Sequence, residues 1–249
     1  MHALVLVAVG AWCFLVALIG GLLGLVLGNI RLPVFLAAAG NPAAAAGANI
    51  AVSGLSAAAG SIAHIRAGGV DWRLVLWMTP PSAAGAVVGG YISGVLPATA
   101  LQIVIGAALL LFGIDLLRPR RGSAPEPAAE PDVRAAVIAG AVIGVLGGLI
   151  GLILGTLRVP ALLRWARQEP ARVVGTNLVV GIAVGAAGLV GHAPGGVDWE
   201  LLAVGGATSV PGALIGSRYT GRLSVAALLR AIGVILVISG TITIGRGVW

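Results

Sequence analysis

Two arginines sit in sequence that has little use for charge. Arg31 lies near the end of residues 20–33, GGLLGLVLGNIRLP, and Arg158 near the end of residues 147–160, GGLIGLILGTLRVP. The two runs match in register, 127 positions apart. A guanidinium offers a planar fork of donors suited to an oxyanion. Glycine followed by proline breaks a helix, and the helix that starts after a break turns free N–H groups and a positive dipole end toward whatever lies before it. Gly28 with Pro33, and Gly155 with Pro160, are therefore expected to form two breaks that also serve as gates. Asn29, Thr156, Asn49, Thr176 and Asn177 stand beside them and could hydrogen-bond an anion, although capping freed backbone is the commoner work of Asn and Thr. Ser53 and Ser56 could line the same cavity or bond between helices. Both arginines could instead snorkel to a membrane surface. Their repetition favours a midplane site, because paired broken helices form such sites in transporters.

His64 and His192 could carry protons for coupled transport. Each stands at a loop edge, where an exposed histidine is the plainer reading. The chain has no nucleotide-binding loop, no group of residues with metal-ligand spacing and no nucleophile constellation. No cofactor, metal or enzymatic activity is expected, and without an ATPase domain transport would be secondary or passive.

Composition sets the solvent. Of 249 residues, 59% are hydrophobic and only 9% charged, with a mean hydropathy of +1.08. Soluble domains carry about a quarter charged residues, so this is an integral membrane protein with the lipid bilayer as its partner. Forty glycines suit helices that approach closely in lipid. All 15 basic residues are arginine. They are scattered through short loops and form no basic patch with interleaved aromatics, which excludes nucleic acid as a partner. Cys13 is the lone cysteine and reads as a buried, inert thiol. The first apolar run lacks a basic start and continues into the glycine ladder, so it is read as structure and not as a cleaved signal.

Along the chain, apolar segments over 3–28, 31–39, 43–65, 74–95 and 98–117 are separated by a turn at Asn41-Pro42, a polar loop at 64–73 and a tight turn at Leu96-Pro97. Pro80 and Pro81 are expected to kink or start their helix. About 20 residues suffice for a crossing. The proline-rich stretch 118–132 is the one hydrophilic segment and reads as an exposed linker. The second half of the chain repeats the first. The GGVDW of 68–72 returns at 195–199, each with a histidine upstream, and Gly85, Gly89, Gly106 and Gly113 return as Gly212, Gly216, Gly233 and Gly240. The division is a first membrane repeat over 1–117, a linker over 118–133 and a second repeat over 134–249. Asp71-Trp72 and Asp198-Trp199 are expected to anchor the chain at the interface.

The arginines decide the handedness of the duplication. If each half crossed four times, Arg66, Arg73, Arg118, Arg120, Arg121 and Arg134 would oppose Arg164, Arg167, Arg172, Arg218 and Arg222. If each glycine ladder instead forms a hairpin that returns to its own side, all eleven fall on one side and Arg246 on the other. The positive-inside rule prefers the second arrangement. The expected fold is an all-α polytopic membrane protein of two inverted repeats, each a glycine-broken helical hairpin followed by three transmembrane helices. The linker would be cytoplasmic and both termini outside.

The layout resembles the sulfite exporter TauE/SafE family of bacterial membrane permeases. The likeness covers nearly the whole chain. It rests on the duplicated ladder ending in proline (Gly24 to Pro33, Gly151 to Pro160), on Gly175, Thr176 and Asn177 opening the next helix, on the GGVDW loops, and on the glycine-rich helices around Gly85 and Gly212. The resemblance implies a multi-pass protein of the bacterial plasma membrane that exports a small sulfur-containing anion such as sulfite or an organosulfonate. A passive anion channel would use the same arginines without a coupling ion, and a non-transporting scaffold would need neither.

Overall fold

The computed structural model describes residues 3–118, 132–164, 170–219 and short helical pieces between 233 and 245. The elements are α1 (Ala3–Leu23), α2 (Gly28–Ala38), α3 (Pro42–Arg66), α4 (Trp72–Val95), α5 (Ala98–Leu117), α6 (Val133–Ile150), α7 (Gly155–Arg164), α8 (Pro170–His192) and α9 (Trp199–Ser217), with one 3-10 turn over Ala193–Gly195. Among the described residues the regular structure is helical throughout. Segments of α1, α3, α5, α6 and α8 are long and apolar enough to cross a membrane. This is a multi-pass membrane protein. The helices α4 and α9 fall outside that group of five; each carries proline inside it, Pro80 and Pro81 in α4 and Pro211 in α9. Residues 119–131, which hold nearly all of the expected linker, lie outside the described residues.

Helix starts are written in the sequence. Asn41 accepts from the N–H of Ala44 at 2.7 Å, and Pro42 fills the first position of α3. The dipeptide that reads as a turn is thus a cap followed by a proline whose missing N–H costs nothing there. Asp71 accepts from Arg73 and Leu74 (3.0 and 3.1 Å), Asp132 from Ala135 (3.1 Å) and Asp198 from Leu201 (3.0 Å). The aspartates of the GGVDW loops are therefore caps, while the adjoining Trp72 and Trp199 are largely exposed. Asp71→Ala and Asp198→Ala are each expected to lower stability by about 1 kcal/mol. Asp→Asn at either site should retain most of it, and thermal unfolding in detergent will compare them.

The breaks share one geometry. At the end of α1, Gly24 takes φ +66°, and the N–H of Leu25 bonds to the carbonyl of Gly20 at 2.9 Å. At the end of α6, Gly151 takes φ +76°, and Leu152 N–H bonds to Gly147 O at 2.8 Å. Both are helix terminations of the Schellman type, which require a left-handed residue. The chain thus leaves the helix at Gly24 and Gly151 and re-enters one at Gly28 and Gly155. This corrects the expected position of the breaks by four residues. Pro33 and Pro160 lie inside the following short helices and not at the breaks.

Packing pairs the two halves. Gly10 of α1 faces Val204 and Thr208 of α9, and Gly21 faces Ala213 to Ser217, so these helices run in the same direction. In α4 and α6, Gly85 meets Ala141 to Val145 and Gly89 meets Val145 to Leu149, again in the same direction. Gly54 meets Gly185, while Ile50 meets Gly188 and Ala57 meets Gly181, so α3 and α8 run oppositely. Finally α4 follows α8 (Val87 at Gly191, Gly94 at Gly195) and α3 follows α9 (Val52 at Gly205, Leu55 at Gly206). In lipid no hydrophobic force draws helices together, so close glycine contacts supply much of the association.

Candidate functional site

Arg31 and Arg158 are the two largest side chains buried almost completely, at 1% and 0% exposure. Both side chains are enclosed by protein, which argues against snorkelling. Each lies in the first turn of the short helix that follows a break. No carboxylate acts on either among the described residues. Two buried guanidinium groups without counter-charge are costly to keep there.

Their surroundings differ. Arg31 donates through Nε to Asn49 Oδ1 at 2.9 Å, through Nη2 to Ser53 Oγ at 2.6 Å and to Asn49 O at 3.2 Å, and through Nη1 to Ser209 Oγ at 3.4 Å. Its Cζ lies 5.7 Å from the Phe35 ring centroid. Gly28 is what lets this cluster close, because a Cβ there would meet Ser53 Oγ at 2.5 Å. Asn49 also donates from Nδ2 to Gly151 O at 2.8 Å, tying the first cluster to the second break. Among the described residues Arg158 has one partner, Asn177 Oδ1, at 3.4 Å from Nη1. Its Nε and Nη2, and Nδ2 of Asn177, have no partner among the described residues. Gly155 gives Asn177 its room, since a Cβ there would meet Nδ2 at 3.0 Å.

The structure thus joins Arg31 with Asn49, and Arg158 with Asn177. It does not bring every expected residue to them. Asn29 accepts from its neighbour Ile30 at 3.1 Å. Thr176 donates to Arg172 O and accepts from Asp71 N, holding the start of α8 to the loop before α4. The side chains of Thr156 and Pro160 lie outside the described residues. Ser56 bonds to Val52 O within its own helix. Ser209 went unread in the sequence; its 127-residue match to Ser82, inside the repeated glycine helices, was the signal that could have found it.

A narrow cleft of about 10 Å³ runs past the first break, lined by Gly24, Leu27, Ser56 and His64 and ending at Arg31. That is room for about one water, so the path to Arg31 is closed to an anion in this conformation. His64 is half-buried at its rim. His192, expected at a surface, is fully buried. Its ring is wedged between Gly47 of α3 and Gly90 of α4, with Nδ1 against Gly188 O at 2.9 Å and Nε2 unpartnered. The loop edge that suggested exposure is covered by the packing of α3 and α4.

A family model described as Sulfite exporter TauE/SafE matches residues 9–242. The chain belongs to the sulfite exporter TauE/SafE family. Its members are membrane transporters of sulfite and related sulfur anions, not enzymes. No curated protein and no solved structure gave a significant match.

Proposed function

We propose that the protein is a secondary transporter that exports a small sulfur-containing anion, such as sulfite or an organosulfonate, across the bacterial plasma membrane. The observation that carries this reading is Arg158, wholly buried, and among the described residues without a counter-charge and with two donor nitrogens unpartnered. An anion bound there would offset the cost of the buried charge and satisfy its unmade hydrogen bonds.

In this reading residues 1–117 and 134–249 are inverted repeats joined by a cytoplasmic linker at 118–133, with both termini outside. Helix directions support it: α1, α3 and α9 run one way and α4, α6 and α8 the other, so α1 opposes α6, α3 opposes α8 and α4 opposes α9. Alternating access would rock one half against the other about the two breaks. The closed cleft beside His64 would be the cytoplasmic path, and His64 and His192 the groups that take up a coupling proton.

The test is flux in proteoliposomes. Sulfite or methanesulfonate is expected to cross faster than in empty vesicles, and a proton gradient is expected to change the rate. Flux of neither anion above the empty-vesicle rate would sink the proposal. Flux indifferent to every ion gradient would favour a passive anion channel, which the same arginines could serve.

A further inference from the structure

The two arginine clusters occupy matching positions of the repeat and differ group by group. Ser53, which takes the shortest bond from Arg31, is matched by Gly181, so Arg158 lacks that partner. Phe35, beneath Arg31, is matched by Leu162. Asn49 Nδ2 is bonded to the opposite break, whereas Asn177 Nδ2 is bonded to nothing among the described residues. Ser209, the fourth partner of Arg31, is matched by Ser82. These two serines are set alike. Ser209 Oγ reaches the carbonyl of Cys13 on α1 at 3.4 Å, and a Cβ on Gly140, the counterpart of Cys13 on α6, would meet Ser82 Oγ at 2.8 Å. Ser82 is 0% exposed, and its Oγ has no partner among the described residues.

Three buried side chains thus carry donors unused among the described residues: the guanidinium of Arg158 and the amide of Asn177 from the second half, and the hydroxyl of Ser82 from α4 of the first. Their counterparts Arg31, Asn49 and Ser209 are engaged. We infer that the two clusters have divided the work, with Arg158, Asn177 and Ser82 forming one oxyanion cradle and the Arg31 cluster serving as a fixed pin for the first break. This rests on the anion-transport reading above and adds to it a location and a third ligand, Ser82. Free donors without a neighbouring carboxylate select an acceptor-only ligand, and an oxyanion offers several acceptor oxygens within a few ångströms. Arg31 cannot play the same part without giving up bonds it already makes.

The experiment is calorimetric binding and thermal unfolding of the full chain in detergent, with sulfite, methanesulfonate, sulfate and nitrate as probes. Ser82→Ala is expected to weaken binding about tenfold, the equivalent of one hydrogen bond to a charged ligand. Its unliganded melting temperature should stay unchanged, because its hydroxyl supports nothing in the fold. Ser209→Ala should do the reverse, leaving affinity unchanged and lowering the melting temperature. Gly181→Ser puts a hydroxyl at the position that matches Ser53 in the repeat, and a Cβ at Gly181 meets Ile153 Cγ2 at 3.2 Å, so it fits with a small shift. This variant should melt higher and bind at least about tenfold more weakly, since Arg158 would acquire an internal partner.

Equal losses of affinity in Ser82→Ala and Ser209→Ala would overturn the division, as would a Gly181→Ser protein that binds like the wild type. If sulfate or nitrate binds but neither sulfur(IV) nor sulfonate does, and Ser82→Ala still loses tenfold, the cradle stands and the proposed substrate falls. If no probe binds the wild type, both are wrong.

Discussion

Gly151→Ala is expected to lower stability by about 2 to 5 kcal/mol, enough to remove most folded protein from the membrane. Two costs add at this position. The residue holds φ +76°, where a Cβ costs about 1 to 2 kcal/mol. The added Cβ would also stand 2.5 Å from Ala46 Cα, Cβ and O, so the start of α3 must move, and overpacking of this kind costs about 1 to 3 kcal/mol. The matching position separates the terms. At Gly24 (φ +66°) the clash is with Val174 Cγ1, a side-chain end that can turn away, so Gly24→Ala should cost less. At Gly68 (φ +68°) nothing lies within 4 Å, and Gly68→Ala should cost only the conformational term, about 1 to 2 kcal/mol. Thermal unfolding of the three variants should rank them in that order. Equal losses at Gly68 and Gly151 would show that the contact between the second break and α3 carries no energy.

These breaks also show where the sequence was legible and where it was not. The long helices are readable because apolar runs of crossing length are bounded by polar loops; α5 begins and ends at the expected residues, 98 and 117. The existence of a break in each ladder is equally readable from repeated glycine and proline. Its position is not, because Gly24 and Gly28 look alike in sequence and serve different ends. Gly24 is needed for its dihedral angle, and Gly28 for the approach of Ser53 and Asn49. Only the packed structure assigns those roles. The arginine sites obey the same rule. Arg31 with Asn49 could be anticipated, since both copies of the repeat keep that spacing to within one residue. The bond to Ser209 spans 178 residues and depends on α9 lying along α1. His192 escapes a sequence reading because a loop boundary says nothing about which helix will cover it.

The inequality of the two arginines gives the sharpest functional test. Arg158→Ala is expected to lower anion flux at least about a hundredfold, because two charge-assisted hydrogen bonds to the solute, at about 1.5 to 3 kcal/mol each, are lost. Its stability should hardly fall. The variant gives up one 3.4 Å bond to Asn177 and is relieved of a charge buried without a partner. Arg31→Ala removes the same side-chain volume and the same uncompensated charge, so those terms cancel when the two variants are compared. What remains is the difference in bonds: among the described residues Arg31 donates four and Arg158 one. At about 1 kcal/mol each, Arg31→Ala should be less stable than Arg158→Ala by about 3 kcal/mol. Conservative replacement sharpens the contrast. Arg31→Lys cannot reach Asn49, Ser53 and Ser209 with one ammonium and should stay destabilised, whereas Arg158→Lys should fold normally and transport poorly, for want of a bidentate fork. Stability measured in detergent and flux measured per folded molecule read the two roles separately. Variants that lose flux alike and stability alike would mean a symmetric site, with the anion held between both breaks instead of at one.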